Sequence, residues 1–456
     1  MATRKERDSL GEKDVPEEAH FGVETVRALE NFPISGMRAN PQLIRATVLV
    51  KKAAALTNME LGHLSPAIGN AIVKAADEIL EGHLRDQFVV DVFQAGAGVS
   101  HNMNTNEILA NRAIEILGGR KGDYSLVHPH DHVNKSQSTN DVFPTATRIA
   151  ALFMLRDLMP VLGRLEDALQ QKAVEFHNVV KSGRTHMQDA VPIRLGQEFG
   201  AYATTIAHNF RRIEEASMSL TQVNLGGTAV GTGFNTSPGY AGLVVQKLAD
   251  LTSLPLRNAA DMVQSTQNPH AFAEVSAALR LLANDLIKID NDLILMNLGP
   301  RTGLAEISLP ALQPGSSIMP GKVNPVMPEM LNMVCFQIIG NDLATSLATQ
   351  NGQLDLNAYM PAMAYNLLQS LEILTNALRV FTEKCVLGIV ADKERCRNYF
   401  EQSLGLATVL SPYVGYEVAA NIAKEALATG RTIRELILER GLLPEDKLDS
   451  LMLPPD

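Results

Sequence analysis

The sequence predicts a mainly α-helical fold built around long, bundled helices, and three observations carry that expectation. First, apolar residues recur at Phe272, Val275, Leu279, Leu282, Leu286, Ile289, Leu293 and Met296. The steps alternate three and four, which marks one long helix with a continuous seam. Second, Ala364, Leu367, Leu371, Leu374, Leu378, Phe381 and Cys385 repeat the same alternation. Third, aromatic residues make up only 5% of the chain and tryptophan is absent, which suits a Leu/Ala/Met-packed helical core better than a β-sandwich. Helices this long cannot each bury a full seam inside a small domain. They lie antiparallel in a bundle, and their remaining faces meet other subunits.

Two further long helices follow from local signals. One begins after Ser138-Thr139-Asn140-Asp141, a run of helix-capping residues, with Pro144 expected in its first turn. Leu152, Leu155, Leu158, Leu162, Leu165 and Leu169 mark its buried side, and Pro160 within that pattern predicts a kink or a break. The other starts near Pro325 and passes through Leu331, Val334 and Ile338. Strand signals are few. The expected division is a mostly helical head over 1–140, a central long-helix bundle over 141–395 and a small helical tail over 396–456.

The 456 residues carry 40 basic and 50 acidic side chains, a formal charge of −10, and 46% are apolar. That is ample core material, and it offers no basic stripe for a nucleic-acid backbone. Cys335, Cys385 and Cys396 form no CxxC pair, which argues against a disulfide scaffold or a cysteine zinc cluster and for a reducing compartment. The charged first twenty residues lack the apolar stretch of a secretory signal, and no run of eighteen apolar residues spans a membrane. A soluble, cytoplasmic protein is expected.

Chemistry belongs in the polar, glycine-rich segments between helices, and four stand out: 94–108, 133–142, 182–193 and 314–326. Nucleotide motifs fail on spacing. Five residues separate Gly315 from Gly321 and Val323 follows Lys322, whereas Gly96-Ala-Gly98-Val-Ser ends in His101. His128, His130 and His132 would share one face of an extended segment, as ligands can. No HExxH accompanies them, and a polar loop accounts for them more simply, so no metal and no cofactor are expected. In the last segment Gly315-Ser316-Ser317 and Pro320-Gly321 form a flexible loop bearing Lys322 and Asn324. Serine as a nucleophile would need a neighbouring base, which the local sequence does not supply. Serine as a base would need its alkoxide held by backbone N–H groups and a cation. Taken alone, the segment is better read as a simple turn with an exposed lysine.

GSSIMPGKVNP at 315–325 resembles, nearly letter for letter, the signature loop of the aspartase/fumarase superfamily of fumarate-releasing lyases. The likeness continues through 102–108, 134–142, 183–193, 226–237 and 299–308, so it spans essentially the whole chain. It implies three mostly helical domains and a homotetramer whose active sites are each shared by three subunits. It also implies an anti-elimination from a small dicarboxylate. A base takes the proton beside a carboxylate, the resulting dianion is held by donors and a cation, and the leaving group departs. Carried over residue by residue, Ser316 resembles the base on a mobile loop, and Lys322 and Asn324 resemble the groups that hold the charged carboxylate. Ser138, Thr139, Asn140, Thr185 and His186 match substrate-binding positions, and His186 would pair with Glu329, which would set its charge.

Asp131-His132-Val133-Asn134, 334–343 and 352–358 look like the aspartate branch, which implies ammonia elimination from L-aspartate to give fumarate. Fumarate hydration is the runner-up. A catalytically silent relative is a third reading, set against the retention of Ser316, Lys322, Asn324, His186 and Glu329. One position departs: both branches usually carry threonine where this chain has Val99. Ser100 or His101 would then supply the missing donor, or the substrate differs.

Overall fold

The computed structural model describes residues 2–454. In chain order, a hairpin of β1 (Thr3–Asp8) and β2 (Gly11–Pro16) precedes α1 (Val23–Asn31), α2 (Pro41–Glu60), α3 (Pro66–Leu80), α4 (Val99–Ile116) and α5 (Thr139–Glu175). A second hairpin, β3 (Val180–Thr185) and β4 (Gln188–Arg194), leads into α6 (Leu195–Ser217). The two-residue strand β5 (Gln222–Val223), α7 (Tyr240–Thr252), strand β6 (Arg257–Asn258) and α8 (Met262–Gln267) come next. Then follow α9 (His270–Met296), β7 (Ile307–Ser308), α10 (Val326–Gln350), α11 (Met360–Lys384) and β8 (Val390–Ala391). The chain ends in five short helices: α12 (Lys393–Gln402), α13 (Leu406–Val414), α14 (Tyr416–Thr429), α15 (Ile433–Glu439) and α16 (Glu445–Met452). Every sheet has two strands; β5–β6 is parallel and the others are antiparallel.

These elements pack as two compact units. One comprises Met1–Leu158, Arg211–Leu281 and Gln337–Leu374; the other comprises Met159–Phe210, Leu282–Phe336 and Thr375–Asp456. In the first, an apolar cluster drawn from residues 15–133 forms a core around Ile72, Ile79, Phe88, Ile108 and Ile114. In the second, Leu406, Leu410, Ile422, Leu436 and Leu448 make a separate small core for the last helices.

Local chemistry explains the boundaries. Asn40 caps α2 through Gln42 N, Ser65 caps α3 through Ile68 N, and proline follows each cap at the first helical position. Thr432 and Glu435 form a reciprocal capping box at α15. Gly98 enters α4 at φ 86°, and a Cβ there would lie 2.2 Å from the Phe143 ring, so only glycine fits.

The two seams are the buried faces of α9 and α11, with Cys385 just past the end of α11. The helix over Pro325 is α10, and the leucine-rich one is α5. Two details differ from expectation. Helix α5 is not split at Pro160, which lies on an exposed face where the freed Arg156 carbonyl can meet solvent. Pro144 falls in the second turn rather than the first. It leaves the Asn140 carbonyl without its helical donor, and Asn224 Nδ2 takes that place at 3.1 Å.

Within α9, Asp290 is fully buried, and neither carboxylate oxygen meets a hydrogen-bond donor among the described residues. Burial pushes its pKa up to about 9, so the folded chain keeps the proton that the unfolded chain releases near pH 4. Its contribution to stability is therefore present below pH 4 and falls as pH rises towards 9. Asp290→Asn keeps the shape and removes the titration. Thermal melts from pH 5 to pH 9 should show the variant gaining on the parent chain as pH increases, and a constant difference would contradict this.

Candidate active site

The first unit gathers Ser138, Thr139 and Asn140 at the start of α5, opposite α4 and a glycine-rich loop. Ser138 Oγ caps the helix by accepting from Asn140 N at 3.2 Å, and Ser138 N donates to Asp141 Oδ1 at 2.9 Å. Asp141 Oδ2 accepts from Gly226 N and Thr228 N, both at 2.9 Å, which ties that loop to the helix. Asn140 Nδ2 donates to Ala229 O at 2.7 Å on the same loop. Asn102 Nδ2 donates to Thr139 Oγ1 at 3.0 Å and to Asn134 Oδ1 at 3.2 Å. The oxygens of Ser138 and Thr139 are thus occupied by N–H donors, and each hydroxyl proton is left to be donated outward. Such a site suits an anion.

Charge at this site is shaped by burial. Asp141 is pushed up to about 6 by burial, opposed by its three backbone donors and by Lys51. Lys51, wholly buried in α2, is drawn down to about 7 by burial, opposed by Asp141. His101 is held near 4 by burial, with Lys51 adding to the effect, so the ring is neutral at pH 7. Its Nε2 lies 2.9 Å from Thr47 Oγ1. The ring is therefore committed to the core and does not replace a hydroxyl lost at Val99. Ser100 is buried in the first turn of α4, whereas Val99 is 42% exposed there.

The second unit carries the remaining candidates. Thr185 and Gln188 close the β3–β4 hairpin, with His186 and Met187 at φ 52° and 62° in its two-residue tip. Non-glycine residues seldom accept positive φ, so the tip is strained and must be held from below. Glu306, with no exposed surface, meets Lys181 and Arg184, each at 2.8 Å. Lys181 also pairs with Glu198 at 3.0 Å. Burial opposes the Lys181 charge, but Glu198 and Glu306 together hold its pKa above the ordinary lysine value. Ser182 Oγ bonds Ser403 Oγ at 2.9 Å, which fastens the hairpin to the loop before α13.

On the signature loop, Ser316 Oγ accepts from Ile318 N at 3.2 Å and Met319 N at 3.0 Å. Gly315 N donates to Lys322 O at 2.7 Å, and Asn324 Nδ2 donates to Gly315 O at 2.9 Å. A Cβ at Gly315 would lie 2.7 Å from that same Lys322 carbonyl, so glycine is what allows the loop to close. The Lys322 side chain is exposed. His186 and Glu329 are also exposed, and they do not pair within the chain.

The histidine segment is not extended. Residues Pro129–Val133 make a wide π-helical turn that consumes ring nitrogens: His128 Nδ1 accepts from His130 N and Asp131 N, and His132 Nδ1 accepts from His128 N. His130 Nε2 meets Glu24 at 2.5 Å. Among the described residues no three His, Cys, Asp or Glu side chains are grouped to hold a metal.

Sequence reasoning passed over Lys51, Asn102, Asn134 and Asp141 as individual site residues. A signal existed for Lys51, because it lies one helical turn from both Thr47 and Ala55 on an otherwise buried face.

A lyase family matches residues 11–340 and a fumarase C C-terminal family matches 406–456. The chain belongs to this aspartase/fumarase superfamily of lyases. It is 52% identical to an aspartate ammonia-lyase of Bacillus subtilis, covering 99% of this chain and 95% of that one. It is 47% identical to the Escherichia coli K12 aspartate ammonia-lyase, over 98% and 94% respectively. Among solved structures, a fumarate lyase:delta crystallin from Brucella melitensis, bound to cobalt, superposes at TM-score 0.96. It is 50% identical and covers 99% of this chain and 98% of that one. A class II fumarase from Schistosoma mansoni gives TM-score 0.95 at 38% identity, with the same coverage.

Glu306→Ala would leave the buried Lys181 with Glu198 as its remaining counter-charge and the partly buried Arg184 without its carboxylate. Unfolding free energy measured in urea should fall by about 3–5 kcal/mol, and a loss under 1 kcal/mol would show that the triad does not anchor the hairpin.

Proposed function

We propose that the chain catalyses reversible anti-elimination of ammonia from L-aspartate, giving fumarate. The observation that carries this reading is Ser316, whose oxygen accepts two backbone N–H bonds on the signature loop. Those donors stabilise negative charge on Oγ and favour the alkoxide that can act as a base. In the proposed step Oγ takes a proton from Cβ of aspartate, and the adjacent carboxylate becomes a dianion. Lys322 and Asn324 hold that charge. The Cα–N bond then breaks, ammonia leaves and fumarate remains. Ser138, Thr139, Asn140, Thr185 and Ser100 supply donors to the substrate. His186 meets Glu329 only on assembly.

The relatives named as aspartate ammonia-lyases are 46–52% identical, against 38% for the class II fumarase, so aspartate is favoured over malate.

Assembly as a homotetramer belongs to the same proposal. Helix α10 exposes Met333, Phe336, Gly340, Leu343 and Leu347, again in steps of three and four. Met333, Phe336 and Leu343 are each more than half exposed, an arrangement that suits burial against copies of the same helix. The expected head, middle and tail over 1–140, 141–395 and 396–456 are proposed as its domains, supported by the separate apolar clusters within 15–133 and 406–452. A cytoplasmic location is also proposed. No helix among the described residues is long and apolar enough to cross a membrane, and the three cysteines are free and buried.

Fumarate absorbance followed with L-aspartate should rise, and with L-malate it should stay flat; signal from malate alone would overturn the assignment. Ser316→Ala should lower kcat by about 10²–10⁴-fold with the oligomer intact, and near-normal turnover would remove serine as the base. Leu343→Glu should reduce the mass measured by light scattering and abolish activity, and an unchanged active tetramer would discount the α10 face.

A further inference from the structure

We propose that Lys51 is a positioning residue that fixes the direction in which the Thr139 hydroxyl donates, acting through Asn134 and Asn102. The inference rests on the reading above that Thr139 binds a substrate carboxylate. Lys51 sits in the middle of α2 with no exposed surface, and its Nζ donates to Asn134 Oδ1 at 2.9 Å. An ammonium has donors only, so Asn134 must offer its carbonyl oxygen rather than its amide nitrogen. That oxygen also accepts from Asn106 Nδ2 at 3.1 Å and Asn102 Nδ2 at 3.2 Å. Asn102 is therefore compelled to present its NH₂, and the same nitrogen reaches Thr139 Oγ1 at 3.0 Å. The threonine oxygen is then engaged as an acceptor, and its proton remains for an incoming anion.

An asparagine side chain turns over with little change of shape, so packing alone does not select this orientation. Asn102 Oδ1 is buried and meets no donor among the described residues, so nothing on its other side selects it either. The buried cation does, through the short bond to Asn134 Oδ1, with weaker help from the Gln137 carbonyl, which accepts from Asn134 Nδ2 at 3.3 Å. Asp141 faces Lys51 from α5 and opposes the burial that draws Lys51 down to about 7, so the amine carries its charge below that pH. Removing it would leave only the longer bond to Gln137 O to hold Asn134, so Asn134 and Asn102 could invert. Thr139 would then donate inward and offer a lone pair to a carboxylate.

The test titrates succinate, an unreactive four-carbon dicarboxylate, into the full-length oligomer by calorimetry, alongside KM and kcat for L-aspartate. Lys51→Met and Asn102→Asp should each weaken succinate and raise KM by about tenfold or more, with kcat falling less. Asn134→Asp keeps the acceptor that Lys51 and Asn102 address, and should lose several-fold less than Asn102→Asp. Equal losses in the two Asn→Asp variants would indicate a general effect of charge or packing and would overturn the relay. So would a Lys51→Met variant that folds and retains its KM; if it does not fold, the asparagine pair decides alone. Thr139→Val separates the two levels. Unchanged succinate binding there would sink the ligand role of Thr139 and the relay with it. Weakened binding there, with the two Asn→Asp variants equal, would sink only the relay.

Discussion

A polar helix buried on every side is the constraint from which the first unit follows. Residues His101 to Ala110 of α4 are all buried, and they include three asparagines, a threonine and a glutamate. Dry surroundings make each unpaired donor or acceptor expensive, so the neighbouring segments are arranged to supply partners. Glu107 receives Gly22 N, Glu24 N, Thr25 N and Thr25 Oγ1, and so caps the start of α1 from another helix. Asn111 holds His20 O and the Tyr124 hydroxyl. Asn102 and Asn106 fix Asn134, which stands just before the run proposed to bind substrate. One face of α4 therefore holds the head together, and the first turns of the same helix border the site. Burial raises Glu107 to about 7, the measure of how far these donors fall short of water.

The second unit answers a different problem by similar means. Its hairpin tip must hold two non-glycine residues at positive φ, which nothing in the local sequence favours. Glu306 and Lys181 provide a fully buried ionic floor directly beneath Arg184, the residue before Thr185. The signature loop has no such floor. It closes through backbone contacts between Gly315 and Lys322 and one amide from Asn324, with Ile318 and Met319 exposed. A rigid hairpin and a lightly held loop are what a site requires if one part positions substrate and the other closes over it.

Much of this was legible in the sequence. The seams of α9 and α11 were readable because apolar spacing is a direct record of which face is buried. The signature loop was readable because its residue types and order are distinctive. Other features depend on contacts distant in the chain. Pro160 reads as a break until its place on an exposed face is known, and Pro144 is tolerated because Asn224, eighty residues later, bonds the carbonyl it leaves free. The β1–β2 hairpin was hidden because Glu6 fills a buried position where an apolar residue would be expected, paired there with Arg4. The histidines at 128, 130 and 132 suggested ligands by alternation, but alternation has that meaning only in a strand. Roles such as those of Lys51 and Asp141 were the hardest to see, since nothing in a lysine or an aspartate alone reveals burial beside an opposite charge.

The proposed assembly and the proposed chemistry would be joined along α10. The signature loop ends at Pro325 and the helix begins at Val326, so the helix fixes one root of the loop that carries Ser316. The exposed apolar residues of that helix begin two turns further on, at Met333, and continue to Leu347. A monomer would leave this face in water, with every incentive to twist or fray. Burial against partner helices would hold α10 straight and steady the end of the loop that bears Lys322 and Asn324. The chain's net charge of −10 makes that steadiness matter, because a dicarboxylate approaches a surface that repels it overall. Attraction must come from a few donors held in place, the role proposed for Ser138, Thr139 and Lys322, rather than from a general field. An enzyme of this kind gains more from fixing the direction of each hydroxyl and amide than from adding charge, and the proposed oligomer would supply rigidity that a single chain with an uncovered α10 lacks.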